Sequence, residues 1–177
     1  IKNFKLEKVE YGNLRTYLLC DVSGSMSGSM EDLRGAVTDY ISAKSSKEEV
    51  AISTFSDYIK ATVDFGATDE ELLNFVSGMY DDGGTAIVNS TIEVLEKFSS
   101  AKGDKQVLIV MTDGQDGYGY SRESIMTQIG SLAEEKNVTV HTIGLGSVDA
   151  DYLNTIATSG NGIFVYVSDS NSLSGFY

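Results

Sequence analysis

An α/β fold is predicted, doubly wound around a mostly parallel six-stranded sheet with helices on both faces, and three features of the sequence predict it. Short apolar runs alternate with stretches of helical periodicity along the chain, an order that builds a parallel sheet. Several of those runs are apolar at every position, the pattern of strands covered on both faces. Turn chemistry separates them, and with Pro at 0 the breaks rest on 18 Gly and on Asn, Asp and Ser.

The first strand is Thr16-Tyr-Leu-Leu-Cys20, which ends at Asp21. After a Ser/Gly loop, Met30, Leu33, Val37, Tyr40 and Ile41 recur at helical spacing, with Ser29 and Asp32 as a capping pair. Val50 to Phe55 is the second strand. In the third, Ile59, Ala61, Val63 and Phe65 alternate with polar residues, so one face meets water and the strand is an antiparallel edge. Thr68 with Glu71 caps a short helix through about Met79. Beyond Asp81-Asp-Gly-Gly84, Thr85 starts a longer helix carrying Ile87, Thr91, Leu95 and Phe98. Val107 to Met111 is the fourth strand; a helix with Ile125, Ile129 and Leu132 follows, then a strand from Val138 to Ile143. A short helix around Leu153 and Ile156 and a last strand from Ile163 to Val167 complete the pattern. Right-handed crossovers give the order 3-2-1-4-5-6. No repeat, low-complexity tract or linker interrupts the sequence, so residues 1–177 are expected to form one domain.

Composition narrows the function classes. The chain is 41% hydrophobic and 22% charged, with no run of about 18 apolar residues to span a bilayer. With 13 Lys plus Arg against 26 Asp plus Glu, the net charge of -13 repels nucleic acid and favours cations and basic partners. Cys20 is the one cysteine, so no intrachain disulfide forms, which leans toward a reducing compartment. The first residue is Ile1 and no charged-then-apolar leader follows, as in a processed product or an excised segment.

In a sheet of this order, ligands bind at the carboxyl ends of the strands where the order reverses, here strands one and four. Asp21 directly follows the first and Asp113 the fourth. Asp21-Val-Ser-Gly-Ser25 sets one carboxylate and two hydroxyls at alternate positions, so an extended turn points three oxygens to one side. Thr85, after Gly83 and Gly84, brings a further hydroxyl to the same crevice. Oxygen donors of this kind suit Mg²⁺, Mn²⁺ or Ca²⁺, and Mg²⁺ foremost, because it keeps several waters and seldom sits in an all-protein cage.

Taken in order, Asp21-Val-Ser-Gly-Ser25, Thr85 within Gly83-Gly-Thr85, and Asp113 within Thr112-Asp-Gly114 resemble the metal-ion-dependent adhesion site of von Willebrand factor type A and integrin I domains. The resemblance covers nearly the whole chain. It implies one divalent cation bound through the hydroxyls of Ser23, Ser25 and Thr85, with Asp21 and Asp113 acting directly or through water. It also implies a protein partner that supplies an Asp or Glu carboxylate to complete the shell. Many relatives carry Pro after the Thr; here Ala86 follows.

Other residues are assigned plainer roles. Ser27, Gly28 and Ser29 serve the turn and the helix cap, and Asp81 and Asp82 form a solvated loop in preference to a second cation site. The loop Gln115 to Tyr120 flanks the cation site, and two readings of it stay open: Tyr118 and Tyr120 serve as contact residues, or the segment is a flexible turn. His141, the one histidine, is expected to be packed and hydrogen-bonded, and Cys20 a small core residue. Gly24-Ser-Met-Ser-Gly28 lacks the central Ser of a hydrolase elbow, and Gly144-Leu-Gly146 lacks the third Gly of a dinucleotide loop. The expected function is therefore metal-dependent protein binding and not catalysis. The alternatives are a scaffolding or regulatory subunit of an intracellular ATPase or chelatase-type assembly and, behind it, a metal-dependent hydrolase. Compartment is unassigned: the resemblance leans to the cell surface and the free cysteine the other way.

Overall fold

The computed structural model describes residues 13–100, 104–114 and 116–167. Its strands are β1 (Leu14–Asp21), β2 (Glu48–Phe55), β3 (Ile59–Val63), β4 (Lys105–Thr112), β5 (Val138–Leu145) and β6 (Asn161–Val167). Its helices are α1 (Met30–Ala43), α2 (Asp69–Ser77), α3 (Ile87–Lys97), α4 (Arg122–Lys136) and α5 (Ala150–Ser159), and a 3-10 turn covers Gly24–Gly28. The strand order is β3-β2-β1-β4-β5-β6. β3 runs antiparallel to β2 and the other neighbours pair in parallel, as the sequence predicts. Of the expected domain of residues 1–177, the segments 1–12, 101–103 and 168–177 lie outside the described residues, as does Gln115.

The unbroken apolar run of β1 follows from its central place. Side chains alternate between faces along a strand. Tyr17 and Leu19 pack with Leu95 of α3, Ile125 and Ile129 of α4 and Ile156 of α5, whereas Leu18 and Cys20 pack with Leu33 and Val37 of α1 and Leu72 of α2. A strand with helices on both sides has no solvent face on which to place polar residues. Leu18 is fully buried there, so Leu18→Ala is expected to cost about 2–5 kcal/mol. Urea unfolding checks this: the midpoint falls while the slope stays unchanged.

Three local expectations need correction. Ser29 makes no side-chain cap. The 3-10 turn runs directly into α1, and the Ser29 backbone N–H donates to Met26 O (2.8 Å), which fixes Ser29 away from a capping geometry. Thr85 does not start α3: the helix begins at Ile87 with Ala86 as its N-cap residue. Phe65 lies beyond the end of β3, where it stacks edge-on to Tyr17 (5.7 Å between centroids) and against Phe98 (5.8 Å). The Thr68–Glu71 capping box, in contrast, is fully formed.

Candidate functional site

β1 and β4 are neighbours in register, with Cys20 beside Met111, so Asp21 and Asp113 emerge together at one end of the sheet. The 3-10 turn anchors the loop after β1 by burying Met26 completely. Backbone hydrogen bonds then tie this loop to its neighbours: Gly24 N–H to Gly83 O (2.9 Å), Asp82 N–H to Val22 O (2.8 Å), and Val22 N–H to Phe55 O (2.8 Å). Ala86 N–H donates to Ser56 O and Gly117 N–H to Thr85 O, both at 2.8 Å. The loops carrying the five predicted residues are thus fastened to one another through the backbone.

Glycines permit this close approach. The Gly84 N–H donates to Asp57 Oδ2 (2.9 Å), and a Cβ at Gly84 would lie 2.3 Å from Asp57 Oδ1. Gly114 turns the chain after Asp113 with φ +84, the left-handed region that favours glycine.

Ser25, Thr85 and Asp113 line one open concavity of about 450 Å³, together with Gly83 and Ser147. Asp21 and Ser23 are fully buried and join it through the Ser23 and Ser25 hydroxyls, 3.1 Å apart. Asp21 has both oxygens engaged: the Ser23 N–H donates to Oδ1 (2.8 Å) and the Thr112 hydroxyl to Oδ2 (2.6 Å). The Thr112 hydroxyl oxygen accepts in turn from Gly114 N–H (2.9 Å). Asp113 Oδ1 is buried with no hydrogen-bond partner. Loss of water pushes the Asp21 pKa up to about 6, with the Asp113 charge adding to the rise against the hydrogen bonds from Thr112 and Ser23. Among the described residues no three His, Cys, Asp or Glu side chains gather as a metal cluster. Besides two carboxylates, the crevice brings together the hydroxyl-bearing residues Ser23, Ser25 and Thr85.

All five predicted residues meet at this end of the sheet. Sequence reasoning missed Ser147, which lines the concavity, Thr112, which holds Asp21, and Asp57, which holds Gly84. Ser147 was within reach, because it follows β5 on the same edge of the sheet. Asp81 and Asp82 are exposed, with Asp82 3.7 Å from Lys60 Nζ, as befits a solvated loop. Tyr118 is exposed, but Tyr120 is held back by its hydroxyl contact with Asn89 Oδ1. His141 is half-buried, and its Nδ1 accepts from Ile163 N–H (3.1 Å). Burial lowers the His141 pKa and, with the Asp21 charge, raises that of the Cys20 thiol well above its ordinary range.

The family model described as von Willebrand factor type A domain matches residues 17–177. No curated protein sequence matches the chain. An aerotolerance-related membrane protein from Bacteroides fragilis superposes with a TM-score of 0.79 at 17% identity, over 92% of this chain and 95% of its own. The vWF domain of the type V pili tip protein Mfa5 from Porphyromonas gingivalis gives 0.74 at 12% identity, over 94% and 93%. Proximal thread matrix protein 1 from the mussel byssus, described with a zinc-occupied MIDAS motif, gives 0.73 at 19% identity, over 93% of this chain and 44% of its own. At such identities the likeness shows the fold alone.

Proposed function

The chain belongs to the von Willebrand factor type A domain family, and on that premise we propose that it is a protein-binding module whose crevice holds one divalent cation and, through it, an Asp or Glu carboxylate of a partner. The observation that carries this is Asp113 Oδ1, a buried carboxylate oxygen with no donor. Buried polar atoms are nearly always paired, and this one stands in a crevice whose other walls present the Ser25 and Thr85 hydroxyls. The donor set fits a hard cation. Ser23, Ser25 and Thr85 would give hydroxyl oxygens, and Asp113 its unpaired oxygen. Asp21, both oxygens already engaged, would act through water or through its remaining lone pairs.

When bound, the cation supplies a Lewis-acidic position open to an anionic oxygen. The residues themselves set the geometry. The one histidine has its Nδ1 occupied on β5 and the one thiol is buried, so neither serves as base or nucleophile at the crevice. Both features support the reading of the module as a binder. Among the described residues no helix is long and apolar enough to cross a membrane.

A ligand bound only by the folded state stabilises it by about 2.7 kcal/mol at one hundred times Kd. Saturating Mg²⁺ is therefore expected to raise the Tm by roughly 5–11 °C, at about 2–4 °C per kcal/mol for a chain of this size. Thermal melts across Mg²⁺, Mn²⁺, Ca²⁺ and Zn²⁺ titrations, paired with calorimetry, test the proposal. A flat Tm with no heat of binding for any of the four would overturn it.

A further inference from the structure

α3 begins without a cap of its own: its N-cap residue is Ala86, which has no side-chain oxygen to offer. The first backbone N–H groups of a helix need such acceptors. One is supplied from a different loop. The Val88 N–H donates to Asp116 Oδ2 (3.0 Å) across 28 residues. The other oxygen of the same carboxylate, Oδ1, accepts from Tyr118 N–H (2.7 Å) and closes its own loop into a turn. Within that turn Gly117 donates to Thr85 O (2.8 Å), and a Cβ at Gly117 would lie 3.2 Å from that oxygen. Asp116 thus stands between two chain segments that each carry one crevice residue, Thr85 two residues before α3 and Asp113 directly after β4.

We infer that Asp116 is a positioning residue that clamps the Thr85 loop against the Asp113 loop and so sets the spacing of the crevice donors, an inference that rests on the cation-binding function proposed above. Asp116 does not line the crevice; it acts through the chain on either side. Two further groups stand at the same joint. The Tyr120 hydroxyl meets Asn89 Oδ1 on α3. The Tyr152 hydroxyl of α5 is buried there without a hydrogen-bond partner, and burial first, then the Asp116 charge, holds its pKa above the ordinary value. Groups that orient metal ligands from outside the first shell typically change affinity by roughly 10–100-fold when removed.

The test is a double-mutant cycle on the full chain, with Mg²⁺ affinity measured by calorimetry for wild type, Thr85→Ala, Asp116→Ala and the double variant. Asp116→Ala is expected to weaken Mg²⁺ binding by roughly 10–100-fold. If Asp116 works by placing Thr85, it should add little once Thr85 is already alanine. Unchanged affinity in Asp116→Ala, or losses that simply add, would overturn the inference. Asp116→Asn, which retains one carbonyl acceptor, carries the same cycle should the alanine variant unfold. Hydrogen exchange on the metal-free protein reads the clamp independently of any cation. In the Asp116 variants the Val88 and Gly117 amides are expected to lose protection while the β4 amides keep theirs, and retained protection at both sites counts against the clamp. A wild type that binds no cation yet loses this protection on substitution would sink the proposed function and leave the clamp standing.

Discussion

Replacing Asp21 with alanine is expected to weaken Mg²⁺ binding by on the order of 100-fold or more, at or beyond the upper end of what removal of an outer-sphere group costs, while the domain stays folded. Two properties of Asp21 make the effect large. It brings one of the two carboxylate charges of the crevice, and a divalent cation loses much of its attraction to hydroxyl donors when half of the local negative charge is gone. It also orders the donors, since Oδ1 fixes the Ser23 backbone and Oδ2 fixes Thr112, which in turn holds Gly114 after Asp113. The fold survives because two opposing effects meet at one residue. Alanine strands the Ser23 N–H and the Thr112 hydroxyl, about 1–3 kcal/mol for each buried group left unpaired. Against this, burial disfavours the ionised carboxylate in the metal-free protein and pushes its pKa up to about 6, and its removal relieves that cost and the repulsion from Asp113. Asp21→Asn separates charge from shape, for the amide keeps an acceptor for Ser23. Calorimetry on both variants should find them similarly defective, with circular dichroism unchanged. Near-normal affinity in Asp21→Asn would mean that the charge matters less than the hydrogen bonds.

The sheet was legible because its physics is periodic. Strands covered on both faces cannot hide their apolar character, so Thr16 to Cys20 and Val107 to Met111 stand out, and β3 betrays its edge position by the alternation of Ile59, Ala61 and Val63 with polar residues, even though Ala61 itself is exposed. What the sequence hid were joints made by the backbone. Ser29 has the right side chain for a cap, yet a 3-10 turn set up by burial of Met26 decides its conformation. Thr85 looks like a helix start, but α3 takes its first acceptor from Asp116, a residue 28 positions away from Val88. No local pattern encodes a cap supplied from another loop.

The crevice residues were legible for a related reason. Asp21 and Asp113 follow two strands that the topology makes neighbours, so their meeting follows from strand order alone. Thr112 and Asp57 escaped because their roles depend on which atom each side chain reaches, Asp21 Oδ2 in one case and the Gly84 N–H in the other. The hydroxyl contact of Tyr120 with Asn89 is equally beyond any local sequence pattern.

Chelation with EDTA is expected to abolish partner binding, and Mg²⁺ or Mn²⁺ to restore it, because under the proposed function a partner's carboxylate would be bound through the cation and not by the crevice itself. Without a cation the crevice presents carboxylates and hydroxyls, in a chain of net charge -13, and such a surface repels an acidic side chain. The same charge argues for a partner in which one Asp or Glu stands among neutral or basic residues. The remaining contact area is available on exposed tyrosines in the segments that adjoin the crevice loops. Tyr80 is 72% exposed, Tyr58 61% and Tyr118 56%. Tyr80 directly precedes the Asp81–Gly84 loop, Tyr58 follows the Asp57 that holds Gly84, and Tyr118 follows the Gly117 bonded to Thr85. Tyrosines are enriched in binding surfaces, where a rigid ring gives area and a hydroxyl gives a polar contact. With a partner identified by pull-down in Mg²⁺, changing its acidic residues one at a time should reveal a single position that dominates, and Tyr80→Ala should weaken binding by roughly tenfold, the level at which an interface residue counts as important. Binding that persists through both chelation and Thr85→Ala would place the interface on another face of the domain and make any cation at this crevice structural.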